Sequence, residues 1–131
     1  MKRFFVAGFV VVALAFSAQA WAHHSFAATY LEDQEVTIEG RLVQFLLRNP
    51  HSFVHVMVEE SDGSTARYVV EWGSLRQLGG KVSRNTLRPG DQVIIRGNPG
   101  RNAADNRVRL LQFERPSDGW SWGMLEGETF D

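Results

Sequence analysis

The chain has 131 residues, of which 44% are hydrophobic, with 14 basic and 15 acidic side chains for a formal net charge of −1 and no cysteine. Disulfides, thiolate metal sites and thiol nucleophiles are therefore excluded, as is a lipid anchor on a terminal cysteine. A near-neutral to acidic balance also argues against nucleic acid as a partner, since its binders usually carry a basic face.

Lys2 and Arg3 precede the apolar run Phe4 to Phe16, which gives way to the small residues of AQAWA. That is the three-part layout of a secretory signal peptide, and the run is shorter than the ~20 apolar residues that span a bilayer. Two Ala-x-Ala triplets overlap here. Cleavage after Ala22 leaves the more usual spacer and gives a mature chain starting His23-His24-Ser25-Phe26, whereas cleavage after Ala20 places Trp21 first. The predicted layout is a signal peptide over residues 1–22, a mature N-terminal segment over 23–34, a barrel over 35–116 and a C-terminal tail over 117–131. Removal of Lys2 and Arg3 lowers the basic count from 14 to 12 against 15 acids, so the mature chain carries −3. The product is expected to be periplasmic or secreted and not itself membrane-spanning.

From Glu35 the pattern is strand, turn, strand. Val36, Ile38, Gly40 and Leu42 alternate with Thr37, Glu39 and Arg41, predicting a long strand, half exposed at first and bent near Gly40 or Val43. Asn49-Pro50 breaks it. The next strand sets Val54, Val56 and Val58 against Phe53, His55 and Met57. Ser61-Asp62-Gly63-Ser64 is a turn signal, and Ala66 to Trp72 returns as a third strand whose inward face is Tyr68, Val70 and Trp72. Ser74 to Leu78 suits one short helix closed by Gly79-Gly80. The turn Leu87 to Asp91 leads into a fourth strand, and Arg107 to Arg115 forms a fifth. The tail beyond Pro116 shows no usable period; Trp120 and Trp122 either pack on the domain or stay loose.

Three strands, a short helix and two strands make an all-β chain with one short helix, predicted to be a small five-stranded OB-like barrel. An open five-stranded sandwich is the competing architecture. Gly40 and Gly97 favour the barrel, because a tightly coiled barrel strand tends to need glycine.

The chemistry-bearing residues are four histidines in two clusters, His23-His24 and His51 with His55. Gly79-Gly80-Lys81 lacks the Walker spacing, no nucleophile elbow or zincin helix is present, and Glu59-Glu60 point to opposite strand faces. Cleavage after Ala22 would give His23 a free α-amine beside its own Nδ1. Those two nitrogens close a chelate ring on one metal ion, and a further imidazole completes a three-nitrogen set of the kind that suits copper. The alternative cut puts His23 third from a free amine, which also suits Cu(II) or Ni(II); a solvated, metal-free terminus is the plain alternative to both.

His51, just after Asn49-Pro50, sits near a barrel rim and is the better partner for His23 or His24. His55 lies roughly 13 Å further along the same strand face at ~3.3 Å per residue, too far to share an ion with His51. His55 with Met57 forms a weaker candidate pair for Cu(I), set against ordinary surface packing. The leading reading is a copper-binding protein serving a membrane or periplasmic protein partner. The alternatives are a metal-free module using Phe53, Tyr68 and Trp72 on the barrel wall for a saccharide or protein, and a copper-dependent oxidative enzyme.

His-His-Ser-Phe at 23–26, Gly-Arg-Leu-Val at 40–43, Asn-Pro-His at 49–51, Glu-Trp-Gly-Ser at 71–74 and Leu-Arg-Pro-Gly-Asp at 87–91 together resemble a family of small exported bacterial proteins of unknown function. The resemblance runs from about His23 to Pro116 and implies export and a barrel, without a reaction. Lys81 departs from the family pattern, which often has an aromatic after the mid-chain glycine.

Overall fold

The computed structural model describes residues 26–124. The predicted signal peptide, His23 and His24 lie outside them. Residues 26–29 are helical, and the barrel unit begins at Tyr30.

The strands are β1 (Val36–Leu46), β2 (Ser52–Glu59), β3 (Thr65–Trp72), β4 (Gln92–Pro99), β5 (Arg107–Arg115) and β6 (Trp120–Gly123), with a short helix at Leu75–Leu78 between β3 and β4. They form one sheet in the order β3-β2-β1-β4-β5-β6. A parallel pairing of β3 with β5 closes the first five strands into a barrel. The five-stranded OB-like barrel expected from the sequence is thus the observed fold.

The strand faces follow the alternation. Ile38 and Leu42 of β1, Val54, Val56 and Val58 of β2, Val70 and Trp72 of β3 and Val93 and Ile95 of β4 all point into the core. The bend in β1 is a register shift between Leu42 and Gln44, leaving Val43 as an exposed bulge. Gly40 and Gly97 serve the role predicted for them. A Cβ at Gly40 would stand 2.2 Å from the Met57 carbonyl oxygen, and one at Gly97 2.0 Å from that of Arg109. No side chain fits between strands at such separations.

Ser74 caps the helix by accepting from the Gln77 amide, while the Gln77 side chain accepts from the Ser74 amide; Gly79 then ends it at φ 49°. Asp62 closes the β2–β3 turn by accepting from the amide and hydroxyl of Ser64.

Two boundaries differ from the sequence layout. The tail supplies β6, which pairs antiparallel with β5 and places Trp122 edge-on to Trp72 at 5.1 Å and Trp120 edge-on to Phe113 at 5.4 Å. Arg115 holds this return: its guanidinium donates to Asp118, to Asp91 and to the Thr86 carbonyl, beneath the Trp120 ring. At the other end, Tyr30 bridges to Gly100, Leu31 donates to the Pro99 carbonyl and Asn98 donates to the Gln34 and Glu32 carbonyls. The barrel unit therefore begins five residues before the predicted start at 35. Register and hydrogen bonds to β4, rather than hydrophobic alternation, fix this segment.

Candidate functional site

The candidate site gathers on the outer side of β3 around Glu71. Strand alternation puts Glu71 opposite in direction to the buried Val70 and Trp72, which on an open surface would leave it solvated. Its side chain is instead only 12% exposed. Three donors enclose it.

His51 Nδ1 lies 2.6 Å from Glu71 Oε1. Tyr30 donates its phenol to Oε2, and Arg107 approaches the same oxygen with a guanidinium nitrogen at 3.4 Å. The β2–β3 register explains the first contact: Phe53 stands opposite Glu71 and Ser52 opposite Trp72, so His51 falls on the diagonal that long side chains can bridge. The β3–β5 register explains the third, since Arg107 pairs with Val69. Tyr30 is brought by the pinned segment before β1 and is fully buried. Burial first, and then the hydrogen bond to Glu71, push its phenol above the ordinary tyrosine range.

An ionised carboxylate can only accept, so in the neutral imidazole the contact at Nδ1 places the ring proton there and the lone pair on Nε2. This is the arrangement by which an outer carboxylate orients a metal-ligating histidine and raises its basicity. The turn that carries His51 is itself fixed. The Asn49–Pro50 peptide is cis, Ser52 exchanges hydrogen bonds with the backbone of Arg48, and the Ser52 amide donates to the Gly73 carbonyl. Asn49 Oδ1 accepts from the Leu75 amide at the helix start. The Asn-Pro-His and Glu-Trp-Gly-Ser motifs are therefore one structural unit, stitched side chain to side chain and backbone to backbone.

His55 has the opposite character. It shares the outer face with Met57, as expected, but its Nδ1 accepts from Arg67 Nε at 3.0 Å, so its proton sits on Nε2. Partial burial and then the cations Arg67 and Arg48 lower its pKa. Met57 stands in register between Arg41 and Arg67. Among the described residues, no group of three or more His, Asp and Glu side chains is arranged to hold a metal ion.

The barrel wall lacks its largest candidate ring. Trp72 is 1% exposed, stacked on Phe113 at 5.4 Å, with Phe45 tilted against it at 6.0 Å. Phe53 is covered by the Arg48 guanidinium at 5.0 Å, and Tyr68 is half-buried with its hydroxyl on Glu60.

Among family models, one described as a family of unknown function, DUF6152, matches residues 10–109. The chain belongs to this family. The matched region of this DUF6152 protein takes in the whole Glu71 cluster, from Tyr30 through His51 to Arg107. No curated protein matches the chain.

Sequence reasoning singled out His51 and missed Tyr30, Glu71 and Arg107 as its neighbours. The one available signal was that Asn-Pro-His and Glu-Trp-Gly-Ser flank the β2–β3 hairpin at its open end. No helix among the described residues is long and apolar enough to cross a membrane.

Proposed function

We propose that the mature DUF6152 protein, exported to the periplasm or secreted, binds one copper ion through His51 and the histidine at its own N-terminus. The single observation that carries this reading is the His51–Glu71 hydrogen bond, which assigns the lone pair to Nε2 and anchors the ring to a nearly buried carboxylate. In this reading His51 Nε2 is one ligand, and the α-amine and ring Nδ1 of His23 are two more, with His24 as the alternative imidazole.

The tether supports the same arrangement. Tyr30, whose hydroxyl ends on the carboxylate that holds His51, is seven residues from His23, a chain length of at most about 25 Å. An all-nitrogen donor set without thiolates favours Cu(II) over softer or harder ions. The role is carriage or buffering of copper for an exported or membrane-bound partner.

The deciding experiment is a Cu(II) titration of the mature chain, with its N-terminus read by intact mass. A chain beginning His-His-Ser-Phe should bind one equivalent. One glycine placed ahead of His23 keeps every imidazole but moves the free amine away, and should cost most of the affinity. His51→Ala should cost a comparable amount. If both changes leave affinity untouched, the proposed site does not exist.

A further inference from the structure

A cavity of about 450 Å³ is lined by the loop between β4 and β5, the start of β1 and the start of β5. Its volume falls within the range of small-molecule sites. Leu31, Val36, Pro99 and Val108 supply an apolar wall, and Arg101 and Arg107 supply two cations, while among the described residues no Asp or Glu lines it.

Arg107 is held for such a role from two sides. Its guanidinium lies over the Tyr30 ring at 5.8 Å and leans on Glu71 through one nitrogen at 3.4 Å, and its side chain remains 37% exposed. Its Nε is buried, with no hydrogen-bond partner among the described residues. The long contact to Glu71 leaves much of the guanidinium's donor capacity unspent, because that carboxylate is already shared with Tyr30 and His51. A fixed arginine fork beside an apolar wall matches a carboxylate attached to an apolar body, the fork binding the anion and the wall its hydrocarbon. An inorganic anion would leave the wall unused.

We infer that this cavity is a binding site for a small organic acid, with Arg107 as the principal anion contact and Arg101 as the second. The inference shares Arg107 with the Glu71 cluster but none of the proposed copper ligands, and it is tested on metal-free protein.

Benzoate serves as the probe and benzamide as its uncharged counterpart, each titrated into the mature chain and followed by amide chemical shifts. Benzoate should give saturable shifts centred on Val36, Arg107 and Val108, at least tenfold tighter than benzamide. Arg107→Gln should abolish that preference and leave the benzamide response unchanged. Should Arg107→Gln fail to fold, Arg101→Gln serves in its place and should reduce the preference severalfold. The inference is overturned if benzoate gives no saturable shift, if benzamide binds equally well, if the folded variants keep the full preference, or if the shifts map instead to a second, smaller groove, which is lined by Phe45, Leu46, Leu47, Arg48 and Arg84.

Discussion

His51 and Glu71 are twenty residues apart in the chain, and their side chains meet at 2.6 Å across the β2–β3 hairpin. The hairpin register makes that meeting a property of the fold, and the carboxylate makes it a property of the imidazole, by deciding which nitrogen keeps its proton.

Replacing Glu71 with Gln keeps the side-chain size but removes the charge that orients His51. Copper affinity should fall about 10–100-fold, the usual effect of losing an outer-shell partner. The circular dichroism spectrum should be preserved. His55→Ala, measured alongside, should leave affinity unchanged because the lone pair on its Nδ1 is already taken by Arg67. An unaltered titration for Glu71→Gln would mean that His51 needs no such support.

The glycines offer a sharper test of the barrel. Gly97→Ala drives a methyl into the Arg109 carbonyl across β4 and β5, where neither backbone can retreat without breaking the ladder. It should destabilise the protein by about 3 kcal/mol. Gly80→Ala meets no atom within 4 Å and should stay within about 0.5 kcal/mol of wild type in urea unfolding. Similar midpoints for the two variants would contradict the strand crossing at Gly97.

Val56 and His55 are neighbours on β2 that face opposite ways. Val56 is fully buried, so Val56→Asp should cost about 3–5 kcal/mol or abolish folding through an unpaired buried carboxylate. His55→Asp should be tolerated, since the new charge would face Arg67 and Arg48. The reverse pattern, with Val56→Asp tolerated and His55→Asp unfolding the protein, would place the β2 register one residue out.

His55 should titrate below the ordinary histidine value of about 6.5, and Arg67→Ala should move its NMR midpoint upward by removing a neighbouring cation. The sign for stability follows. The folded state binds the proton less readily than the unfolded state, so this group adds nothing above the unfolded pKa. It disfavours folding increasingly as pH falls from there through the folded pKa. A midpoint unmoved by Arg67→Ala would show that burial and Arg48, without Arg67, set the shift.

The barrel was legible in the sequence because its strands bury one face each: Val54, Val56 and Val58, or Val93 and Ile95, announce themselves by alternation. Gly40 and Gly97 were legible for the related reason that close backbone crossings admit no side chain. β6 was not, because four residues reading Trp-Ser-Trp-Gly carry too little pattern. What makes them a strand is the free edge of β5 and the Arg115–Asp118 closure of the turn. Half of the candidate site was equally hidden. Alternation gives the direction of Glu71 but says nothing of what covers it. The cover depends on Asn98 and on Arg109, which donates to Glu32, pinning a segment without hydrophobic period against the barrel.

The closure of the barrel has a kinetic consequence for that site. β3 and β5 are joined only from Val69 to Glu71, in the one parallel pairing of the sheet, and parallel pairs are slightly weaker per residue. If this joint parts, every antiparallel pairing can survive and the barrel unrolls into a flat sheet. Glu71 sits on the parting line: it would keep His51, carried by β2, and lose Arg107, carried by β5. The lifetime of the full cluster is then a breathing rate of the whole barrel, slower than any side-chain rotation. The Val69 amide, which donates to the Asn106 carbonyl across the joint, should report that rate through its hydrogen exchange.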